Sequence, residues 1–190
     1  MRDPSVPFPH DRLLEVTVLR LIPRWVLPTH ITILRFLATP FVVWLVAADH
    51  TTAGIVAFLL VASTDMIDGA MARTRKQITE WGTLFDPLAD KLLIGAMVVV
   101  IVFEHVNPFL GITIIVLELL TLIGGYIRLR RGIVKPANTW GKIKMILQCA
   151  GVLLLLIAIA TGYDLFIPIS FGVFALALIF ALVSLLTHGI

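Results

Sequence analysis

The stretch TDMIDGAMARTRKQITEWGTLFDPLADK, residues 64–91, decides how this chain is read. It carries five acidic residues, Asp65, Asp68, Glu80, Asp86 and Asp90, between long apolar blocks. Acidic side chains at the edge of a bilayer are costly, so their presence there points to a task. Asp65 and Asp68 are three residues apart and Asp86 and Asp90 four apart, so each pair shares one face of a helix. The segment between the pairs is short and basic, with Arg73, Arg75 and Lys76. It reverses the chain and makes the two helices antiparallel neighbours, with both acidic pairs in one cleft.

Outward from this stretch, the chain is 59% hydrophobic over 190 residues with a mean hydropathy of +1.01. A soluble domain is about half apolar. The apolar residues come in blocks near 31–48, 53–72, 82–103, 108–127, 145–163 and 166–186. Each is long enough to span a bilayer, and no period-2 alternation suggests a barrel. The expected architecture is all-α and integral to the membrane, one domain over 1–190 with six transmembrane helices between about 31 and 187. All Lys and Arg except Arg35 and Lys91 fall before the first block, between the second and third, or between the fourth and fifth. By the positive-inside rule, both termini and the carboxylate cleft face the cytoplasm.

The net charge of +3 therefore reports topology and not nucleic-acid binding. The lone Cys149 excludes an intrachain disulfide. The opening MRDPSVPFPH lacks a signal-peptide layout, and a bacterial plasma membrane is the expected location. Between 11 and 24, Leu13, Leu14, Thr17, Val18, Leu21 and Ile22 recur at helical spacing, which predicts an amphipathic helix in the cytoplasmic interface or packed under the bundle.

Four carboxylates in a partly dry cleft repel one another and call for cations. Oxygen-only donors favour hard ions, Mg2+, Mn2+ or Ca2+, and two divalent ions would balance Asp65, Asp68, Asp86 and Asp90. Gly69, Ala70 and Ala72 leave room for a bulky ligand, Arg73 suits a phosphate, and Gly82 keeps the cleft open. An ion- or proton-coupled transporter is the rival reading. Its usual marks are inverted repeats and charges near the midplane, whereas here the charges cluster at one face.

The pattern Asp65-x2-Asp68-Gly69-x2-Ala72-Arg73-x8-Gly82-x3-Asp86-x3-Asp90 resembles the signature of the CDP-alcohol phosphatidyltransferases at every fixed position. The resemblance implies a six-helix membrane enzyme, usually a homodimer. It would transfer a phosphatidyl group from CDP-diacylglycerol to an alcohol and release CMP. Asp65, Asp68, Asp86 and Asp90 would hold two Mg2+ or Mn2+ ions, and Asp90 would also be the general base. Gly69, Arg73 and Thr79 would line the CDP site.

FDPLADK (85–91), PTHITILR (28–35) and GKIKMILQ (141–148) resemble the phosphatidylglycerophosphate synthase branch, with Thr29 where that branch has Asn and Met145 where it has Thr. The basic residues 128–144 suit an anionic acceptor, with Arg128, Lys142 and Lys144 as its contacts. Glycerol 3-phosphate is the expected acceptor, and inositol phosphate and phosphatidylglycerol are its competitors.

Overall fold

The computed structural model describes residues 9–23, 25–75, 77, 80–130 and 139–188. They form helices and no strand. The elements are α1 (Pro9–Thr17), α2 (Pro28–Ala47), α3 (Thr51–Thr74), α4 (Glu80–Met97), a π-helical stretch (Val98–Val102), α5 (Phe103–His105), α6 (Pro108–Arg130), α7 (Thr139–Thr161) and α8 (Phe166–His188).

Local chemistry sets the ends. Pro28 and Pro108 open α2 and α6, where a missing N–H costs nothing. The Asn107 side chain caps α6 by accepting from the N–H groups of Phe109 and Leu110 at 2.8 and 3.4 Å. Helix α2 closes in a Schellman motif. Asp49 takes a left-handed φ of 61°, its N–H reaches Val46 O, and the His50 N–H reaches Leu45 O. Gly162, with φ 70°, does the same work after α7 by donating to Ala158 O.

Five helices are long and apolar enough to cross a membrane: Pro28–Ala47, Thr51–Thr74, Pro108–Ile127, Thr139–Thr161 and Phe166–Thr187. Their outward side chains are apolar, for example Ile179, Leu182 and Leu186 on α8 and Leu37, Phe41 and Trp44 on α2. Lipid accepts such a surface and water does not. The protein is integral to the membrane. The expected sixth span is not among the five, because Glu80, Asp86, Asp90 and Lys91 put four charges into α4.

The chain divides into two compact units, Met1–Val42 with Val56–Leu93, and Val43–Ile55 with Ile94–Ile190. In the first, Leu19, Ile31, Ala70 and Met71 form a buried cluster, backed by Leu14, Ile22, Val26 and Ile67. Phe36 and Phe85 meet edge to face at 6.4 Å. The N-terminal segment differs from the helix expected over 11–24. Helix α1 stops at Thr17, and the next turn widens, with the Val18 and Leu19 N–H groups both on Leu14 O. The apolar stripe then loses its register, so Leu19 is buried while Leu21 is 83% exposed.

In the second unit, α7 and α8 pack most extensively. Gly151 lets the ring of Phe174 approach so closely that a Cβ would lie 2.9 Å from it. Trp140 stacks on Phe180 at 5.7 Å. Gly54 likewise admits Val46 Cγ2 to 2.6 Å of its Cβ position where α2 turns into α3.

Candidate active site

The site is built in the first unit around Arg35, one of its most deeply buried side chains. Arg35 lies in the second turn of α2. Its Nε donates to Thr64 Oγ1 at 3.0 Å, its Nη2 to Asp68 Oδ2 at 2.6 Å, and its Nη1 to Asp65 Oδ1 at 3.3 Å. Nη1 also donates to Asp90 Oδ1. One planar guanidinium thus joins carboxylates from α3 and α4 to α2, as its fixed fork of five donors allows.

The carboxylates differ in access. The Asp68 side chain is 2% exposed, Asp90 15% and Asp65 38%. A buried carboxylate flanked by two more open ones gives the site an inner wall and a mouth. Three carboxylates against one guanidinium leave two negative charges within this group. An all-oxygen donor set with excess negative charge fits a hard divalent cation. Among the described residues no three acidic, His or Cys side chains gather about a common metal position, because Asp65, Asp68 and Asp90 turn to Arg35. Asp86 and Gly82 lie in α4, with the Asp86 side chain outside the description, and Thr79 lies outside the described residues.

Arg73 and Gly69 stand one turn apart on α3. A Cβ on Gly69 would fall 3.2 and 3.3 Å from the Arg73 Nη1 and Nη2 atoms, so the guanidinium lies across the glycine. Arg73 is also paired with Asp11 of α1. Arg75, grouped in sequence with the topology-setting charges, donates to the carbonyls of Leu19, Ile22 and Pro23 at 2.8, 2.7 and 3.3 Å. It ties the N-terminal segment to the end of α3.

The expected acceptor residues fall in the second unit. Lys142 is exposed on α7, and Arg128 lies in α6 with its side chain outside the description. Lys144 departs from expectation. It is buried, and its Nζ donates to Glu118 Oε1 at 2.5 Å, an oxygen that also accepts from Gln148 Nε2 at 2.9 Å. Lys144 and Gln148 are one turn apart on α7 and so meet Glu118 of α6 from one face. A lysine inside an apolar core takes the nearest carboxylate in place of an open mouth.

Sequence reasoning singled out the carboxylates but gave no site role to Arg35 or Asp11. The signal was present for both. An arginine in the second turn of an apolar span needs buried partners. Asp11 shares the apolar face of Leu14 and Val18, where a charge also demands one.

A model of the CDP-alcohol phosphatidyltransferase family matches residues 25–186. The chain belongs to the CDP-alcohol phosphatidyltransferase family. Among its relatives is the CDP-diacylglycerol–glycerol-3-phosphate 3-phosphatidyltransferase of Rickettsia typhi, 36% identical over 78 residues, which are 40% of this chain and 44% of the relative. The protein of the same name in Bacillus subtilis is 35% identical over 106 residues, 55% of each chain. A Drosophila melanogaster protein named "Probable cardiolipin synthase (CMP-forming)" is 27% identical over 117 residues, 61% of this chain and 36% of the relative. The matches span less than two thirds of each relative's length.

Proposed function

We propose that the protein transfers the phosphatidyl group of CDP-diacylglycerol to glycerol 3-phosphate and releases CMP. The observation that carries this reading is the convergence of Asp65, Asp68 and Asp90 on a single guanidinium, within the residues that the family model matches. A divalent-metal requirement is general in that family. Here Asp65, Asp68, Asp86 and Asp90 would hold two ions, Mg2+ or Mn2+. Bound there, such ions would offset the negative charge of the pyrophosphate and of departing CMP.

The chain's own residues do the rest. Gly69 leaves space for the nucleotide phosphates and Arg73 contacts them, and Thr79 and Gly82 are proposed to line the same nucleotide site. Asp90 takes the proton of the acceptor hydroxyl. The acceptor oxygen bonds to the phosphatidyl phosphorus, the pyrophosphate P–O bond breaks, and its electron pair leaves on CMP. Arg35 fixes one oxygen of each of three carboxylates and so sets their spacing. Arg128 and Lys142 are proposed as acceptor contacts on their charge alone. Lys144 we assign to the α6–α7 tie.

The sixth span is the continuous helical run 80–105. Its charges, before Glu104, stop at Lys91, and residues 92–103 are apolar throughout. The topology we propose has both termini on the cytoplasmic side, the N-terminal segment at that membrane surface, a homodimer, and a bacterial plasma membrane. The whole chain would act as one membrane domain.

The test is CMP release by the purified protein in detergent with CDP-diacylglycerol and Mg2+ or Mn2+. Glycerol 3-phosphate, inositol phosphate and phosphatidylglycerol are offered separately. Metal-dependent release with glycerol 3-phosphate is expected. Release only with another acceptor would replace the substrate, and none with any, from folded protein, would remove the assignment.

A further inference from the structure

We propose that Asp11, in the N-terminal helix α1, is a positioning residue that holds Arg73 ready for the nucleotide phosphates, an assignment that rests on the phosphatidyltransferase reading above. Asp11 is fully buried. Its Oδ2 accepts from Arg73 Nε at 2.8 Å and its Oδ1 from Arg73 Nη2 at 2.9 Å. This two-point contact fixes the plane of the guanidinium as well as its position. The plane lies across Gly69, the glycine of the signature, so the same pair sets where the charge stands over the open backbone.

An arginine on a flexible stem loses side-chain entropy when it clamps an anion, and a partner that orders it beforehand removes much of that cost. Asp11 is itself held. Arg75 anchors the carbonyls of Leu19, Ile22 and Pro23, and Leu19 packs with Ile31, Ala70 and Met71. The N-terminal segment is thereby fastened to the helix that carries the signature. Asp11 precedes residues 25–186, the part matched by the family model.

The experiment compares the full chain with Asp11→Asn and Asp11→Glu. It measures steady-state CMP release and, separately, CDP binding by calorimetry in the presence of Mg2+. For Asp11→Asn the KM for CDP-diacylglycerol is expected to rise about tenfold and CDP affinity to fall in step, with kcat within about threefold of the parent. Asp11→Glu keeps the charge on a longer stem and is expected to raise KM by about threefold. In an Arg73→Lys background, Asp11→Asn should change KM by less than about twofold, because the two residues act through one contact.

Unchanged KM and CDP affinity in Asp11→Asn would overturn the assignment. So would a fall in kcat and melting temperature at constant KM, which would make Asp11 a tie of the fold alone. Should Asp11→Asn not fold, Asp11→Glu decides, since a parent-like KM overturns the proposal and a raised one supports it. A parent protein that binds CDP but releases no CMP would sink the transferase reading. Asp11 would then stand or fall on whether its substitution weakens CDP binding. A parent that binds no CDP overturns both.

Discussion

Two buried charge networks, one in each unit, answer the same difficulty differently. Around Glu118, one carboxylate meets one ammonium from Lys144 and one amide from Gln148. That group is neutral, and it joins α6 to α7. Around Arg35, one guanidinium faces three carboxylates. That group joins α2, α3 and α4 but stays negative. A neutral buried pair is explained by what it holds together. Three carboxylates on one guanidinium are not, because that pairing by itself leaves negative charge that a cation held there would offset. The excess supports the metal site proposed above, and the balanced pair gives no such reason.

The largest expected effect falls on the negative group. Asp90→Asn should lower CMP release by about 10²- to 10⁴-fold while the melting temperature stays near that of the parent, because the change removes the proposed general base and not the fold. Near-normal turnover would move the base elsewhere. Next, Arg35→Met removes the guanidinium that Asp65, Asp68 and Asp90 share and should cost about 3–5 kcal/mol of stability in chelator. Added Mg2+ should recover more stability in this variant than in the parent, read as a melting-temperature difference with and without the ion. Equal gains in both would put the metal away from these carboxylates.

The neutral group should respond only in stability. Lys144→Met or Glu118→Gln alone should cost about 3–5 kcal/mol by taking the counter-charge from a buried ion. The pair Glu118→Leu with Lys144→Met should return most of that and leave the KM for glycerol 3-phosphate unchanged. A raised acceptor KM would return Lys144 to the substrate and erase the contrast between the two networks. The smallest effect is a gain. Asp49→Gly should stabilise by about 1 kcal/mol in thermal unfolding, since glycine holds the left-handed turn after α2 without the penalty a side chain carries.

Much of this was legible one residue at a time. The spacing of Asp65 and Asp68 does place both on one face of α3, and both reach the same arginine. Five of the six apolar blocks fall in helices long and apolar enough to cross a membrane. The block at 82–103 is not among them, since Glu80, Asp86, Asp90 and Lys91 lower the hydropathy of α4. The N-terminal stripe misleads past Thr17 because helical periodicity holds only while the helix does, and the widened turn at Leu14 breaks it.

The sequence by itself determined that the chain is helical, lives in a membrane, and gathers carboxylates at one face, because hydropathy and residue spacing are local properties that survive any arrangement of the helices. Only the tertiary structure decided which cation each buried acid meets. Arg35 is 30 residues from Asp65 and 55 from Asp90, Arg73 is 62 from Asp11, and Lys144 is 26 from Glu118. Charge pairing in a low-dielectric core is chosen by distance in space, and no periodicity in the chain encodes it.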